Sequence, residues 1–419
     1  MNILKSKKYV IKAAEKGLFE VALLFLHQIV SILRKWRVPS RCIVIGITGS
    51  CGKTMTKDLL ADILSSQHRV VKSEGTRNAI WATPRFLLSF DSRNEFWVQE
   101  VGAYESGRLA KFVRVLRPDV GVITTIGWDH YTAFRGPDGV AKDKLALIRS
   151  LPQDGIAVLN ADDSRALAMR HDTSAKVVTF GLDGPATLCA DSVSSRWPER
   201  LSFTLIHDNK RIRVNTRFCG EYLVPNVLAA LATGLALGVP VEKAVEAVEK
   251  SEPYSGRMQP VETSNNVWFI RDDWKAPYWS IGVLLDYVAN ARAVRKIVVL
   301  GEISDRPGNL RSKYCNLVER SVEVADMVLL VGPPWGQSFV TKLLERNEKV
   351  IRFKEISQAN DFLNEYLQAG DLVVLKGNSR SHLGRLALSK LMYVGCWKMN
   401  CSYKMFCNEC RHVAENFSE

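Results

Sequence analysis

The 419-residue chain has no low-complexity tract, no repeat of solenoid length and no clean apolar run long enough to span a bilayer. Disordered and fibrous classes are thereby excluded, and so is a membrane-spanning helix. Its first apolar stretch lacks a small-residue cleavage site, so it does not read as a signal peptide. Acidic residues are in deficit, 44 against 57 Lys and Arg, which leaves a formal charge of +13. That excess favours an anionic partner: a nucleotide, a phosphorylated metabolite, a membrane surface or nucleic acid. Paired cysteines are lacking too. Cys42, Cys51, Cys189, Cys219 and Cys315 are scattered and the total of 9 is odd, as expected of a reducing cytoplasm.

What is present is globular: 47% hydrophobic and 24% charged residues over a length that calls for two or three domains. Residues 1–40 form an N-terminal amphipathic helical segment. Its apolar run 18–33 is broken by Glu20, His27 and Gln28 and flanked by Lys5, Lys7, Lys8, Arg34, Lys35 and Arg37. Such a helix packs on the body of the protein or lies on a membrane surface as a peripheral contact. From residue 42 on, short β-branched runs alternate with helical periods, the pattern of an α/β fold with a mainly parallel sheet. Strands are expected at 42–48, 96–100, 120–124, 156–160 and 177–180. A hairpin should turn at Asp208-Asn209-Lys210, followed by helices at 226–238 and 241–251. Pro253 to Arg257 punctuates the chain. Strands at 267–270, 296–301, 327–332, 349–353 and 372–377 then make a second, Rossmann-like unit. The expected domains are 41–254, a central phosphate-loop ATP-binding domain, and 255–395, with a cysteine-rich tail at 396–419.

The run G-I-T-G-S-C-G-K-T, Gly46 to Thr54, lies between a buried strand and a helix. Backbone N–H groups around Gly49, Ser50 and Gly52 can curl around phosphate oxygens at the helix N-terminus. Lys53 would reach the β/γ-phosphates and Thr54 would ligate Mg²⁺. The usual first glycine falls on Ile47. Alone, this loop leaves kinase, ATPase, GTPase and ligase open.

T-G-S-C-G-K-T resembles the loop of the Mur ligase family, with Cys51 at a position where that family usually has Asn. Further segments resemble the family in the same order, most closely its D-alanyl-D-alanine-adding branch. E-V-G-A-Y-E-S-G-R-L (100–109) implies a magnesium ligand at Glu100. P-D-V-G-V-I-T-T-I-G-W-D-H (118–130) implies His130 at a second metal. V-A-K-D-K-L-A-L-I (140–148) implies a carbamylated lysine at Lys144, an anionic arm toward magnesium. G-E-Y-L-V-P-N-V-L-A-A (220–230) keeps Asn226 but has Tyr222 and Leu223 for the family's His-Asn pair. In the second domain, R-D-D-W-K-A-P (271–277) implies that Asp273 steadies the nucleotide and Lys275 touches the γ-phosphate. L-K-G-N-S-R-S (375–381) implies that Lys376, Ser379 and Arg380 hold the carboxylate of an incoming amino substrate. Arg257 stands at the hinge in a G-R-M. The resemblance runs from about residue 42 to 390.

It implies an ATP-dependent ligase that joins a carboxylate to an amine through an acyl phosphate, with ATP, two Mg²⁺ ions and small-molecule or peptide substrates, and with no nucleic acid partner. Because residues 1–40 are all that precede the ATP-binding domain, the family's UDP-binding domain reads as missing. The acceptor is therefore expected to be a carboxylate other than UDP-MurNAc-peptide, in natural-product or envelope-polymer biosynthesis. The alternatives are a peptidoglycan-precursor ligase, or a phosphate-loop ATPase or kinase that binds a membrane or nucleic acid. Last, Cys396, Cys401, Cys407 and Cys410 crowd the tail. Their spacing, with one CxxC pair, suggests a structural Zn²⁺ site, ahead of a redox site or free thiols.

Overall fold

The structure, a computed structural model, describes residues 22, 25–102, 105–128, 134–263, 265–304, 308–332, 335, 347–399, 401 and 405–415. The chain divides into two compact units. The first comprises Met1–Asp191, Leu205–Ile212 and Pro225–Val248, and the second Ser192–Thr204, Arg213–Val224 and Glu249–Glu419. This division differs from the expected single cut near residue 254 in that two short segments of the anticipated ATP-binding domain group with the second unit. The tail is part of that unit as well, not a separate module.

Residues 25–37 form the first described helix, α1. A nine-stranded sheet follows, in the order β2-β3-β1-β4-β5-β6-β7-β8-β9. Its strands are β1 (Ile43–Thr48), β2 (Val70–Lys72), β3 (Phe96–Glu100), β4 (Val120–Ile123), β5 (Ile156–Asn160), β6 (Lys176–Gly181), β7 (Leu188–Ser194), β8 (Ser202–His207) and β9 (Lys210–Asn215). Pairing is parallel from β2 through β7. The runs IVIGIT and FWVQE are buried along almost their whole length, as strands covered on both faces must be. At the hairpin, Asp208 and Asn209 take φ of 47° and 61°, the left-handed pair that a two-residue turn needs.

The helices that position the site are α2 (Lys53–Ser65), α3 (Arg108–Leu116), α4 (Pro137–Arg149), α5 (Val224–Ala236) and α6 (Val241–Lys250). Helix α4 lies close over β1 because Gly46 has no side chain: a Cβ there would come 2.8 Å from Leu147. One core cluster gathers Val44, Trp97, Phe112, Leu147 and Leu159 with Val30 of α1, so the N-terminal helix does pack on the body.

The second unit holds a six-stranded sheet ordered β10-β11-β15-β12-β13-β14. Its strands are β10 (Gln259–Glu262), β11 (Trp268–Asp272), β12 (Lys296–Leu300), β13 (Met327–Val331), β14 (Val350–Phe353) and β15 (Leu372–Lys376). All pairs are parallel except β10 with β11. Helices α7 (Tyr278–Asn290), α8 (Leu310–Val324), α9 (Ile356–Tyr366) and α10 (Gly384–Leu388) accompany it. Two separate apolar clusters serve the sheet, one with Ile270, Val298 and Leu284 and the other with Phe269, Val299 and Leu363. Alternate residues of a strand therefore face different layers, the doubly wound arrangement. The α/β class and both sheets agree with the sequence reading; β2, β7 and β10 are additional strands.

Candidate active site

The phosphate loop leaves the carboxyl end of β1, between β3 and β4, where the sheet's connections diverge to either side and a ligand crevice belongs. Gly49 and Gly52 have φ of 152° and 82°. Side chains at either place would be strained, and a Cβ on Gly52 would overlap Asn226 Oδ1. The loop is pinned from the neighbouring strand. Ser50 N donates to the Thr125 carbonyl at 2.7 Å, Thr124 Oγ1 to the Cys51 carbonyl at 2.6 Å, and Gly127 N to Ser50 Oγ at 2.9 Å. On the other side, Thr56 Oγ1 donates to the Asn226 carbonyl at 3.2 Å, which fixes α5 beside the start of α2. Lys53 is buried, with Nζ 2.7 Å from the Gly49 carbonyl.

Thr54, assigned to magnesium from the loop pattern, and Glu100, assigned by resemblance, meet. Thr54 Oγ1 donates to Glu100 Oε2 at 2.8 Å, and both residues are buried. The other carboxylate oxygen accepts from Asn78 Nδ2 at 2.9 Å, and Glu100 N donates to Ser73 Oγ at 3.1 Å. A hydroxyl and a carboxylate converging at a strand end form a hard oxygen donor set that suits Mg²⁺.

Sequence reasoning missed Ser73 and Asn78, and also Lys57. Lys57 is fully buried, one turn after Lys53, and donates to the Ser73 carbonyl at 2.8 Å and the Gly75 carbonyl at 2.6 Å. Burial pulls its pKa down, with Asp58 and Glu100 opposing. The loop carrying Asn78 is thus fastened to α2 by a buried cation. A lysine on the buried face of α2 was the available signal.

Lys144 lies buried on α4. Its neighbour Asp143 accepts from Gly107 N at 2.7 Å, and burial raises its pKa. His130 lies outside the described residues. Asn160 donates to the Thr124 carbonyl at 2.8 Å, so its work is to hold β4 and β5 ends together.

In the second unit the anticipated residues collect at the carboxyl ends of the adjacent strands β11, β15 and β12. Asp273 accepts from Arg271 Nε at 3.3 Å and Nη2 at 3.4 Å, all buried. Lys376 is buried against Asp272 and donates to the Lys275 carbonyl at 3.2 Å. Its charge is therefore matched inside the protein, and it supports the 272–275 turn. Lys275 and Arg380 are exposed. Ser379 N donates to the Trp274 carbonyl at 3.0 Å, and Asn378 Nδ2 to Glu302 Oε2 at 3.0 Å, so the three strand ends are laced together. Arg257 Nε is buried without a hydrogen-bond partner among the described residues.

On the zinc expectation, among the described residues no three His, Cys, Asp or Glu side chains gather as a metal site, and the four tail cysteines are not in disulfides. Cys407 instead accepts from Arg385 Nε at 3.2 Å and lies 3.5 Å from His382 Nδ1. A guanidinium beside the thiol disfavours a divalent cation there, and burial raises the Cys407 pKa. The tail's contribution is packing. Phe406 lies against Trp274 with ring centroids 4.1 Å apart and against Tyr254 at 5.7 Å.

A glycine-rich phosphate loop with a Thr–carboxylate pair, followed by a second doubly wound unit, defines an ATP-using enzyme of two α/β units. Residues 47–234 match the Mur ligase middle domain and residues 256–379 the Mur ligase glutamate ligase domain. The UDP-N-acetylmuramoyl-tripeptide–D-alanyl-D-alanine ligase of Mycobacterium tuberculosis is 30% identical over 366 residues, which cover 82% of this chain and 72% of that protein. The Bacillus subtilis protein of the same name is 28% identical over 344 residues, covering 80% and 73%. A crystal structure of MurF from Acinetobacter baumannii, 26% identical, superposes with a TM-score of 0.79 over 88% of this chain and 80% of that one. MurF from Thermotoga maritima in complex with ADP, 20% identical, shares the fold with a TM-score of 0.74 over 86% and 82%. The chain belongs to the Mur ligase family and is an ATP-dependent, ADP-forming acid–amino-acid ligase.

Proposed function

We propose that the chain is a peptidoglycan-precursor ligase: it phosphorylates the terminal carboxylate of a nucleotide-linked muropeptide and couples it to the amine of an amino acid or dipeptide such as D-alanyl-D-alanine. The Thr54–Glu100 contact carries the chemistry. The acceptor is favoured by similarity across both units to ligases named for the UDP-N-acetylmuramoyl-tripeptide. That similarity weighs against the earlier expectation of a different carboxylate, since the stretch preceding the loop does not decide the acceptor.

In this reading the phosphates of ATP lie along the N–H groups from Gly49 to Lys53, at the start of α2, and the Lys53 ammonium neutralises the β/γ oxygens. Thr54 Oγ1 and Glu100 would hold Mg²⁺, which supplies charge neutralisation and orientation of the phosphates. Lys144, if carbamylated, adds a second anionic oxygen donor, and His130 belongs to the same set. A carboxylate oxygen of the acceptor attacks the γ-phosphorus, the bond to the β-phosphate oxygen breaks, and ADP departs. The amine nitrogen then attacks the carbonyl of the acyl phosphate. The C–N bond forms, inorganic phosphate leaves with the C–O bond electrons, and the amine loses its proton. Lys275 lies near the transferred phosphoryl group, and Ser379 and Arg380 hold the amino substrate's carboxylate; Lys376 acts by supporting their turn.

The test is ADP release and product mass with UDP-MurNAc-tripeptide, ATP and D-alanyl-D-alanine, together with hydroxylamine trapping. The expected outcome is amine-dependent ADP release, an amide product and a hydroxamate when the amine is withheld. Coupling of other carboxylates but not this one would overturn the acceptor assignment. ADP release that needs no amine and yields no hydroxamate would overturn the ligase reading in favour of an ATPase or kinase.

A further inference from the structure

Helix α1 has two apolar sides, and among the described residues only one of them is packed against the rest of the chain. Leu26, Val30 and Leu33 pack onto the core of the first unit. The helix is fastened there by Arg34, whose Nε donates to the Leu116 carbonyl at 2.7 Å, and by Arg37, whose Nη2 donates to the Leu88 carbonyl at 2.7 Å. On the remaining side Phe25, Ile29, Ile32 and Trp36 are 63%, 49%, 57% and 82% exposed. Their spacing of four, three and four residues makes them one continuous stripe along the helix. Four large apolar side chains in a row, held outward by a packed helix, are not the scattered exposure of an ordinary surface.

The helix and the segment that follows it carry charge of one sign. No Asp or Glu occurs from Val21 to Lys57, and Lys35, Arg37 and Arg41 are exposed. Arg34 Nη2 bonds the Arg117 carbonyl at 3.2 Å, which places the carboxyl end of α3, with exposed Arg114 and Arg117, beside α1. An apolar ridge with a tryptophan and a cationic rim matches the boundary between acyl chains and anionic headgroups. A second copy of the chain fits less well, since pairing two such stripes would bring Lys35 and Arg37 against their own kind. None of the described helices is long and apolar enough to cross a membrane, so the contact is parallel to the surface.

We propose that the Phe25–Ile29–Ile32–Trp36 stripe docks the enzyme peripherally on an anionic lipid surface. Flotation of the full chain with phosphatidylcholine vesicles, with and without about 30% phosphatidylglycerol, tests this against the salt-screened attraction expected of a basic rim. The expected result is binding to the phosphatidylglycerol vesicles, weakened in high salt and at least tenfold lower for the Ile32→Glu, Trp36→Glu double variant at unchanged ATP turnover. Lys35→Glu with Arg41→Glu, which leaves the apolar stripe intact, should also lower it. Failure of the full chain to float with anionic vesicles overturns the proposal. So does a dimer in light scattering that the double variant dissociates while vesicle binding is absent. Hydrogen-exchange protection of residues 25–36 without lipid, lost when residues 1–21 are deleted, would assign the stripe to the chain's own N-terminus and overturn it equally.

Discussion

The two units use charge in opposite ways. In the first, polar side chains from distant parts of the chain converge on a glycine loop: Glu100 accepts from both Thr54 and Asn78, and Lys57 ties the loop carrying Asn78 to α2. In the second, the charges at the strand ends are largely satisfied by each other, Arg271 with Asp273 and Lys376 with Asp272. Exposed Lys275 and Arg380 are left at the turns so built. One unit builds a cradle whose backbone meets the ligand, and the other a braced platform that presents cations. Mutations should therefore affect catalysis directly in the first unit, and stability before substrate affinity in the second.

The largest effect is expected from Lys53→Ala, a loss of about 10³-fold in kcat with an unchanged melting temperature, as for removal of one preorganised charge donor; steady-state ADP release checks it. Lys376→Met should instead lower stability by about 3 kcal/mol, since it leaves Asp272 buried and unpaired, and adding Asp272→Asn should restore much of it. Urea denaturation of both variants decides this, and equal kcat losses for Lys53→Ala and Lys376→Met at full stability would break the contrast. A smaller effect concerns His382, whose pKa burial and Arg385 lower to about 4. The unfolded chain binds the proton more readily, so this residue's contribution is complete above about pH 6.5 and is lost as pH falls toward 4. The wild type should lose about 2 kcal/mol more than His382→Gln between pH 7 and 5, measured by the same denaturation. Smallest, Arg380→Ala should raise the KM for the amine substrate roughly tenfold with little change in kcat, the mark of a binding contact.

Much of this was legible in the sequence because strand periodicity and a phosphate loop are local signals. The runs Ile43–Thr48 and Leu372–Lys376 are apolar up to their last residues, as strands buried on both faces require. Glu100 as the partner of Thr54 was reached by resemblance, because 46 positions separate the two. Asn78, Ser73 and Lys57 escaped notice for the same reason: their roles arise where a loop folds back on a strand, and no spacing rule encodes that. In the tail, cysteine count suggests metal, whereas geometry depends on where the backbone carries each thiol. Arg385 and His382 took Cys407 instead.

Asn226 follows Gly52 by more than 170 positions, yet its side chain occupies the space beside that glycine and its carbonyl holds the start of α2. On the ribosome the loop emerges long before this residue does. The emerging chain carries every phosphate-binding group of the loop while still lacking the wall that shapes it, so mature nucleotide affinity arrives only once α5 has been made.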